Sequence, residues 1–196
     1  MSLRLAVVRV LRDLNDLGIG HAVIGGLAVS ARVEPRMTRD VDIVIAATDD
    51  RAAEDLVHRL LGLGYVVDAV LEQSAAGRLA TTRLLPPMLA DSGVVVDLLF
   101  ASSGIEREVV DAAEPLQILT DAVAPVASVG HLLALKLLSV SERRPQDAAD
   151  LERLSAIASP EDVAQARIAV RQIVERGFGR GRDLATALQR LTAPGP

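Results

Sequence analysis

The sequence predicts an α+β fold in which a mixed β-sheet core with flanking helices precedes a C-terminal helical bundle. Strand-like apolar runs alternate with helical segments over residues 1–127, whereas residues 128–196 carry only helical periodicity and helix-capping signals. Half of the 196 residues are apolar, which excludes a disordered chain and suffices for one buried core. We therefore expect a core domain over 1–127 and a helical region over 128–196.

The individual elements follow from apolar spacing and from the glycine and proline breaks between them. Apolar residues that recur every three or four positions predict helices over 3–17, 27–32 and 48–64. Alternating or continuous apolar runs predict strands over 21–24, 40–46, 65–71, 78–85 and 94–100, with short edge strands over 116–119 and 123–126. Periodicity and capping residues predict further helices over 129–140, 147–157, 160–176 and 182–191.

The composition narrows the possible classes of function. The formal net charge is -5, with one Tyr, two Phe and no Trp, so the chain lacks the basic field and the stacking rings of an extended single-strand-binding platform. It has no cysteine, which excludes disulfides and thiolate metal sites. No apolar run is long enough to span a membrane, and residues 1–11, interrupted by Arg4 and Arg9, do not resemble a signal peptide. We expect a cytoplasmic protein.

Acidic residues in two predicted strands indicate a metal site. Asp40 and Asp42 alternate along one strand, so their side chains share a face about 6 to 7 Å apart. Like charges at that distance repel unless a cation such as Mg²⁺ or Mn²⁺ lies between them. Asp97 lies in a second apolar strand, where a carboxylate must be paired or bind a metal. If the strands are neighbours, all three are catalytic metal ligands for phosphoryl chemistry; an ion pair between Asp97 and an arginine such as Arg83 is the structural alternative.

A glycine pair provides a candidate seat for phosphate groups. Gly25 and Gly26 end one predicted strand and precede a short helix, so backbone N–H groups and the helix N-terminus can approach a triphosphate closely. Ser30, one turn later, adds a hydroxyl group. Taken alone, the glycine pair is better explained by an ordinary turn, and it is not the dinucleotide-binding pattern of three spaced glycines.

Taken in order, these motifs resemble the nucleotidyltransferase superfamily of the DNA polymerase β type. The pattern here is Ile24-Gly25-Gly26, thirteen intervening residues, Asp40-Val41-Asp42-Ile43 and, on a later strand, Asp97. The stretch RMTRDVD over 36–42 and a later helical lysine are similar to the bacterial abortive-infection toxins of type IV toxin–antitoxin systems. The resemblance implies metal-dependent transfer of a nucleoside monophosphate from a nucleoside triphosphate such as ATP to an acceptor hydroxyl, with transfer RNA as the acceptor and an antitoxin as a partner.

Lys136 is the only lysine among the 21 basic residues and lies in a predicted helix that is apolar on nearly all sides. We interpret it as a contact to the triphosphate, because a compact ammonium group differs from a guanidinium in geometry, and the resemblance implies the same role. Asp147, in preference to Asp150, would orient it or complete the nucleotide pocket. The alternatives are that Lys136 extends to solvent or forms a purely structural pair with either carboxylate. A positive rim for phosphate groups is expected from Arg36, Arg39, Arg143 and Arg144.

Two questions of function stay open at this point. The acceptor hydroxyl can belong to a transfer RNA end, to a small molecule such as an aminoglycoside, or to a protein, either this chain or a partner. The second class of function is a non-catalytic module that uses the same fold to hold a nucleotide or a partner protein. Complete carboxylates favour the enzyme, because a binding module has no need to keep them.

Overall fold

The computed structural model describes residues 2–73, 77–89, 92–141 and 145–193. Within these ranges the chain forms one sheet of seven strands and eight helices. The strands are β1 (His21–Val23), β2 (Asp40–Ile45), β3 (Val66–Gln73), β4 (Arg78–Leu85), β5 (Val95–Leu99), β6 (Glu114–Leu119) and β7 (Ala122–Val126). The helices are α1 (Ser2–Asp16), α2 (Gly25–Arg32), α3 (Asp50–Gly62), α4 (Glu106–Asp111), α5 (Val129–Ser139), α6 (Pro145–Ile157), α7 (Pro160–Glu175) and α8 (Leu184–Leu191). The predicted fold class is confirmed.

The sheet is mixed, with the strand order β3-β4-β5-β2-β1-β7-β6. The central strand β2 is parallel to β5 and antiparallel to β1, and β1 in turn is parallel to β7. β2 is exposed at Asp40 and fully buried from Ile43 to Ile45, because its apolar half is covered by α1, α2 and α4. The strand therefore carries its acidic residues at the accessible end and its apolar residues in the core.

The helical part of the chain packs against the same core as the sheet. α5 is buried on nearly all sides and contacts α2, α6, α7 and α8. One continuous cluster of buried side chains joins Ile43 and Leu98 of the sheet to Leu133 and Ile173 of the helical part. The change from sheet to helices falls near the expected boundary, and the division into two domains at 127 and 128 stays a prediction.

Two local differences from the predicted elements have simple physical causes. Periodicity misses α4, because a helix of six residues is too short to show an apolar repeat. The structure shows instead how its start is held: Glu106 accepts hydrogen bonds from the backbone N–H groups of Ser102 and Ser103, at 2.8 and 2.6 Å. α2 begins at Gly25, two residues before the predicted start, so both glycines lie inside its first turn. Among the described residues, no helix combines the length and the apolar character needed to cross a membrane.

Candidate active site

Three carboxylates lie on one face of the sheet. In the parallel pair of β2 and β5, Asp42 is directly opposite Asp97, and Asp40 is opposite Val95. Residues that are opposite each other, or two apart in one strand, project from the same face, so Asp40, Asp42 and Asp97 share it. Asp40 is exposed, Asp42 is half-buried and Asp97 is buried. The face thus presents a gradient from an accessible to an enclosed carboxylate.

Gly25 lies directly against the carboxylate of Asp42. Its φ of +64° is in the left-handed region, and a Cβ atom at this position would stand 1.9 Å from Asp42 Oδ2 and 2.6 Å from its Cγ. The backbone N–H of Ile24 also donates to the backbone carbonyl of Asp42, at 2.9 Å. The turn between β1 and α2 therefore brings the N-terminus of a helix beside the acidic strand, and only glycine leaves the necessary space.

Gly26 makes a similar close approach to a different segment. A Cβ atom there would stand 2.8 Å from Thr38 Oγ1 and 2.9 Å from Arg36 Nη2. The Ser30 hydroxyl fixes this arrangement: it donates to the Gly26 carbonyl at 2.9 Å and accepts from the Arg36 backbone N–H at 3.2 Å. Ser30, which we expected to contact the triphosphate, thus ties the glycine turn to the segment that leads into β2.

The buried carboxylate of Asp97 is held by Arg83. These residues are opposite each other in β5 and β4, and Arg83 Nε and Nη2 each donate to one Asp97 oxygen at 2.8 Å. These hydrogen bonds raise the pKa of Arg83 above its ordinary value, and the negative charges of Asp97 and Asp40 act in the same direction. The structure therefore contains the ion pair with Arg83, which was the alternative to a metal-binding role for Asp97. With the side chains in these positions, no three acidic or histidine residues in the described part of the chain are close enough together to hold a metal ion.

Lys136 lies in a buried network of four charged side chains. Its Nζ contacts Asp147 Oδ1 at 2.5 Å and Asp150 Oδ2 at 2.8 Å, and Asp150 Oδ2 also accepts from Arg36 Nη2 at 2.8 Å. Asp150 is fully buried and its second oxygen, Oδ1, has no hydrogen-bond partner among the described residues. The ammonium group is thus linked to the glycine turn through Asp150 and Arg36. Lys136 forms the pair with a carboxylate that the sequence left open as the alternative to a contact with the triphosphate.

The arginines of the expected rim lie in different places. Arg36 is mostly buried against Gly26 and Asp150, whereas Arg39 is exposed next to Asp40. Arg143 and Arg144 fall outside the described residues. Sequence reasoning missed the contact of Arg36 with Asp150, because they are 114 positions apart and no spacing rule connects them.

The chemistry of the donors fits a divalent cation bound with a triphosphate. Asp40 and Asp42 supply carboxylate oxygens, the ligand type that Mg²⁺ prefers, and Mg²⁺ usually takes only one or two protein carboxylates together with phosphate oxygens. The space beside Asp42 that a single Cβ atom would fill lies at the first turn of α2, where backbone N–H groups attract anions. Asp97 can join such a site only after Arg83 releases its oxygens.

A family model described as the nucleotidyl transferase AbiEii toxin of type IV toxin–antitoxin systems matches residues 9–194. The chain belongs to this family. No curated protein sequence gives a significant match. Among solved structures, an antigenic nucleotidyltransferase-like protein from Paracoccidioides brasiliensis is similar, with 23% identity, a TM-score of 0.53 and coverage of 96% of this chain and 92% of that one. The antibiotic-resistance factor ANT(2'')-Ia is similar with 14% identity, a TM-score of 0.50 and 94% coverage of each chain.

Membership in the AbiEii family confirms the suspected resemblance over nearly the whole chain. The protein is a nucleotidyltransferase, and its family is that of the toxins in type IV toxin–antitoxin pairs. The solved structures add the fold: both are similar over more than nine tenths of this chain, so the helical C-terminal part is included in the match as well as the sheet. The family match extends beyond the motifs between Gly25 and Asp97 and includes the helices that carry Lys136 and Asp147.

Proposed function

We propose that the enzyme transfers a nucleoside monophosphate from a nucleoside triphosphate to an acceptor hydroxyl, with Mg²⁺ or Mn²⁺ held by Asp40 and Asp42, joined by Asp97. The observation that carries this proposal is the register that sets Asp42 opposite Asp97, with Gly25 against the Asp42 carboxylate. Such an arrangement gives a phosphate group a helix N-terminus on one side and cation-binding oxygens on the other.

Each part of the site has a role in this reaction. Backbone N–H groups at Gly25 and Gly26 bind the triphosphate, and the exposed Arg39 neutralises part of its charge. A divalent cation held by Asp40 and Asp42 would polarise the α-phosphate and stabilise the pyrophosphate that leaves. Asp97, once it is free of Arg83, accepts the proton of the attacking hydroxyl as the new oxygen–phosphorus bond forms and the bond to pyrophosphate breaks.

Lys136 and Asp147 serve the nucleotide site through Arg36 in this proposal. The ammonium group neutralises Asp147 and Asp150, and Asp150 in turn holds the Arg36 guanidinium against Gly26. A guanidinium in that position is well suited to a phosphate oxygen at the glycine turn. Ser30 supports the same arrangement from the backbone side.

The family's description as a toxin supports a proposal for the physiological setting. We propose that the enzyme acts in the cytoplasm, where nucleoside triphosphates are available, and that an antitoxin protein opposes it. A transfer RNA end is the first acceptor to test, because the toxin resemblance points there. A small hydroxyl compound is the second, because one similar structure is that of an antibiotic-resistance factor.

The test is a transfer assay with a triphosphate labelled at the α-phosphate. Purified enzyme is incubated with Mg²⁺, each of the four labelled triphosphates, and either total transfer RNA or an aminoglycoside. We expect the label to move to one of the acceptors. Asp42→Asn should reduce the transfer rate by at least about 100-fold, because a carboxylate that holds the proposed cation is lost. Asp55→Asn, an exposed acid on α3, is the matched control and should retain full activity. Asp42→Asn with an unchanged rate would remove the assigned site.

The non-catalytic module remains the second candidate, and the pairing of Asp97 with Arg83 is the observation that favours it. A site in which the third carboxylate stays neutralised can hold a nucleotide without turning it over. Equilibrium dialysis with labelled triphosphate, run beside the transfer assay, separates the two. Binding in the micromolar range without transfer to any acceptor supports the module, whereas transfer supports the enzyme.

A further inference from the structure

A row of charged groups crosses the active-site face of the sheet. The register pairs Arg83 of β4 with Asp97 of β5, and Asp97 with Asp42 of β2. On the far side of Asp42 stands Gly25, in contact with its carboxylate. The order across the sheet is therefore guanidinium, two carboxylates, glycine turn. With neighbouring strands about 4.8 Å apart, the Arg83 strand lies about 10 Å from the Asp42 strand.

Arg83 is the member of this row that is able to change partners. Its side chain is 42% exposed, whereas that of Asp97 is 12% exposed. The pair uses Nε and Nη2, and a guanidinium carries five N–H donors, so beyond those used among the described residues three remain for a second anion. The Asp97 carboxylate is buried and stays neutralised only if a cation takes the place of the guanidinium. The exposed guanidinium can meanwhile be hydrated or bind another anion. Arg83 can therefore leave Asp97 when another cation arrives there.

The geometry of transfer gives this movement a direction. In displacement at phosphorus, the attacking and leaving oxygens are roughly in line on opposite sides of the phosphorus atom. If the pyrophosphate leaves over the glycine turn at Gly25, the acceptor hydroxyl approaches from the Asp97 end of the row, which is where Arg83 stands. The side chain next to the incoming acceptor is then a cation.

We propose that Arg83 determines acceptor specificity: it exchanges the Asp97 carboxylate for a phosphate group of the acceptor beside the reactive hydroxyl. This inference rests on the proposed function and selects among its acceptors. The charges balance, because Asp97 gains a divalent cation as it loses the guanidinium, and Arg83 gains a phosphate. An acceptor with phosphate groups, such as an RNA strand, satisfies this cation, whereas an aminoglycoside brings a like charge to it.

The first test uses metal binding and needs no turnover. Mn²⁺ is titrated into the nucleotide-free protein and followed by electron paramagnetic resonance. Arg83→Gln should tighten Mn²⁺ binding about 10-fold, because it frees the Asp97 carboxylate as a third oxygen donor. Arg78→Gln is the matched control: Arg78 lies at the start of the same strand and pairs with Asp50 of α3 instead of with Asp97. It should leave the Mn²⁺ affinity unchanged.

The second test uses the acceptor. We expect Arg83→Gln to raise the KM for an RNA acceptor by about 10-fold or more, as for the loss of one charge-assisted contact, and to leave the KM for the triphosphate within twofold. The affinity for a labelled RNA strand, measured by fluorescence anisotropy with Mg²⁺ and without triphosphate, should fall by a similar factor. Arg83→Lys keeps the positive charge but loses the forked guanidinium, so its KM for RNA and its RNA affinity should lie between those of the wild type and Arg83→Gln. Circular dichroism checks that the variants fold, and Arg83→Lys replaces Arg83→Gln in the test if the glutamine variant unfolds.

The outcomes separate this inference from the proposed function. If the wild-type protein transfers label but Arg83→Gln does not change the KM or the RNA affinity, the acceptor role is wrong and the enzyme assignment stands. If the wild type transfers nothing to any acceptor, the proposed function fails, and the Mn²⁺ titration still decides the exchange. Equal Mn²⁺ affinity in the wild type and in Arg83→Gln overturns the exchange itself.

Discussion

Gly25→Ala isolates the contact on which the site depends. A Cβ atom at this position would stand 1.9 Å from Asp42 Oδ2 and 2.9 Å from Asp42 Cβ. Because real Cβ contacts do not fall below 3.0 Å, the carboxylate must be displaced by about 1 Å or the turn must open by a similar distance. The residue is also held at a φ of +64°, which costs a residue with a side chain about 1 to 2 kcal/mol.

These two costs have different consequences, and two measurements separate them. The backbone strain lowers the free energy of unfolding by about 1 to 2 kcal/mol, read from urea denaturation. The displaced carboxylate should lower the transfer rate by about 100-fold, since a misplacement of about 1 Å at a reacting centre has that order of effect. The rate is measured at saturating triphosphate and Mg²⁺, so that weaker binding does not account for the loss.

Gly18→Ala is the matched control. Gly18 has a φ of +68°, and no atom lies within 4 Å of the Cβ that the substitution adds. This variant should lose the same stability as Gly25→Ala and keep the wild-type rate. If Gly25→Ala also keeps its rate within twofold, the Asp42 carboxylate is not required where the structure has it, and the reasoning from the glycine turn is refuted.

The remaining predictions concern the buried charges. Asp150→Ala removes the buried carboxylate that pairs with Lys136 and Arg36, so it should lower the free energy of unfolding, measured by urea denaturation, by about 3 to 5 kcal/mol. Asp16→Ala, which removes one partner of an exposed pair, should lower it by less than about 1 kcal/mol. Equal losses would mean that the network is not buried in solution. Burial lowers the pKa of His131. Below a pH of about 6.5 the imidazole is therefore protonated in the unfolded chain while it stays neutral in the folded chain. Stability should therefore decline as the pH falls through that value and decline less in His131→Asn, and identical pH profiles would contradict this.

Most of the fold could be predicted because its elements are encoded locally. α1 and α3 show a clear apolar repeat, and α7 begins with a capping box between Ser159 and Asp162 that includes Pro160 at the first helical position. The strand order could not be predicted, because it is set by contacts between segments far apart in sequence. The parallel pairing of β2 with β5 crosses more than 50 positions, and no local pattern specifies it.

The candidate site could likewise be predicted where local patterns determine it, but not where contacts between distant segments do. Alternation places Asp40 and Asp42 on one face, and the apolar run around Asp97 requires that this carboxylate be paired or bound. Sequence alone does not choose between Arg83 and a cation as its partner, because both satisfy the same buried charge. The choice depends on which side chain stands opposite on β4, and that is a matter of register.

The two glycines of the turn are not equivalent, and the difference explains how one short segment can serve a triphosphate. Gly25 makes room for the Asp42 carboxylate, whereas Gly26 makes room for Arg36 and Thr38. The first turn of α2 therefore has an acidic group on one side and a guanidinium on the other. A bare phosphate would be repelled by the first and attracted by the second, so it binds well only with a cation between it and Asp42. In the proposed reaction, the side of the turn that faces Asp42 therefore needs a divalent cation, and the side that faces Arg36 binds the leaving phosphates.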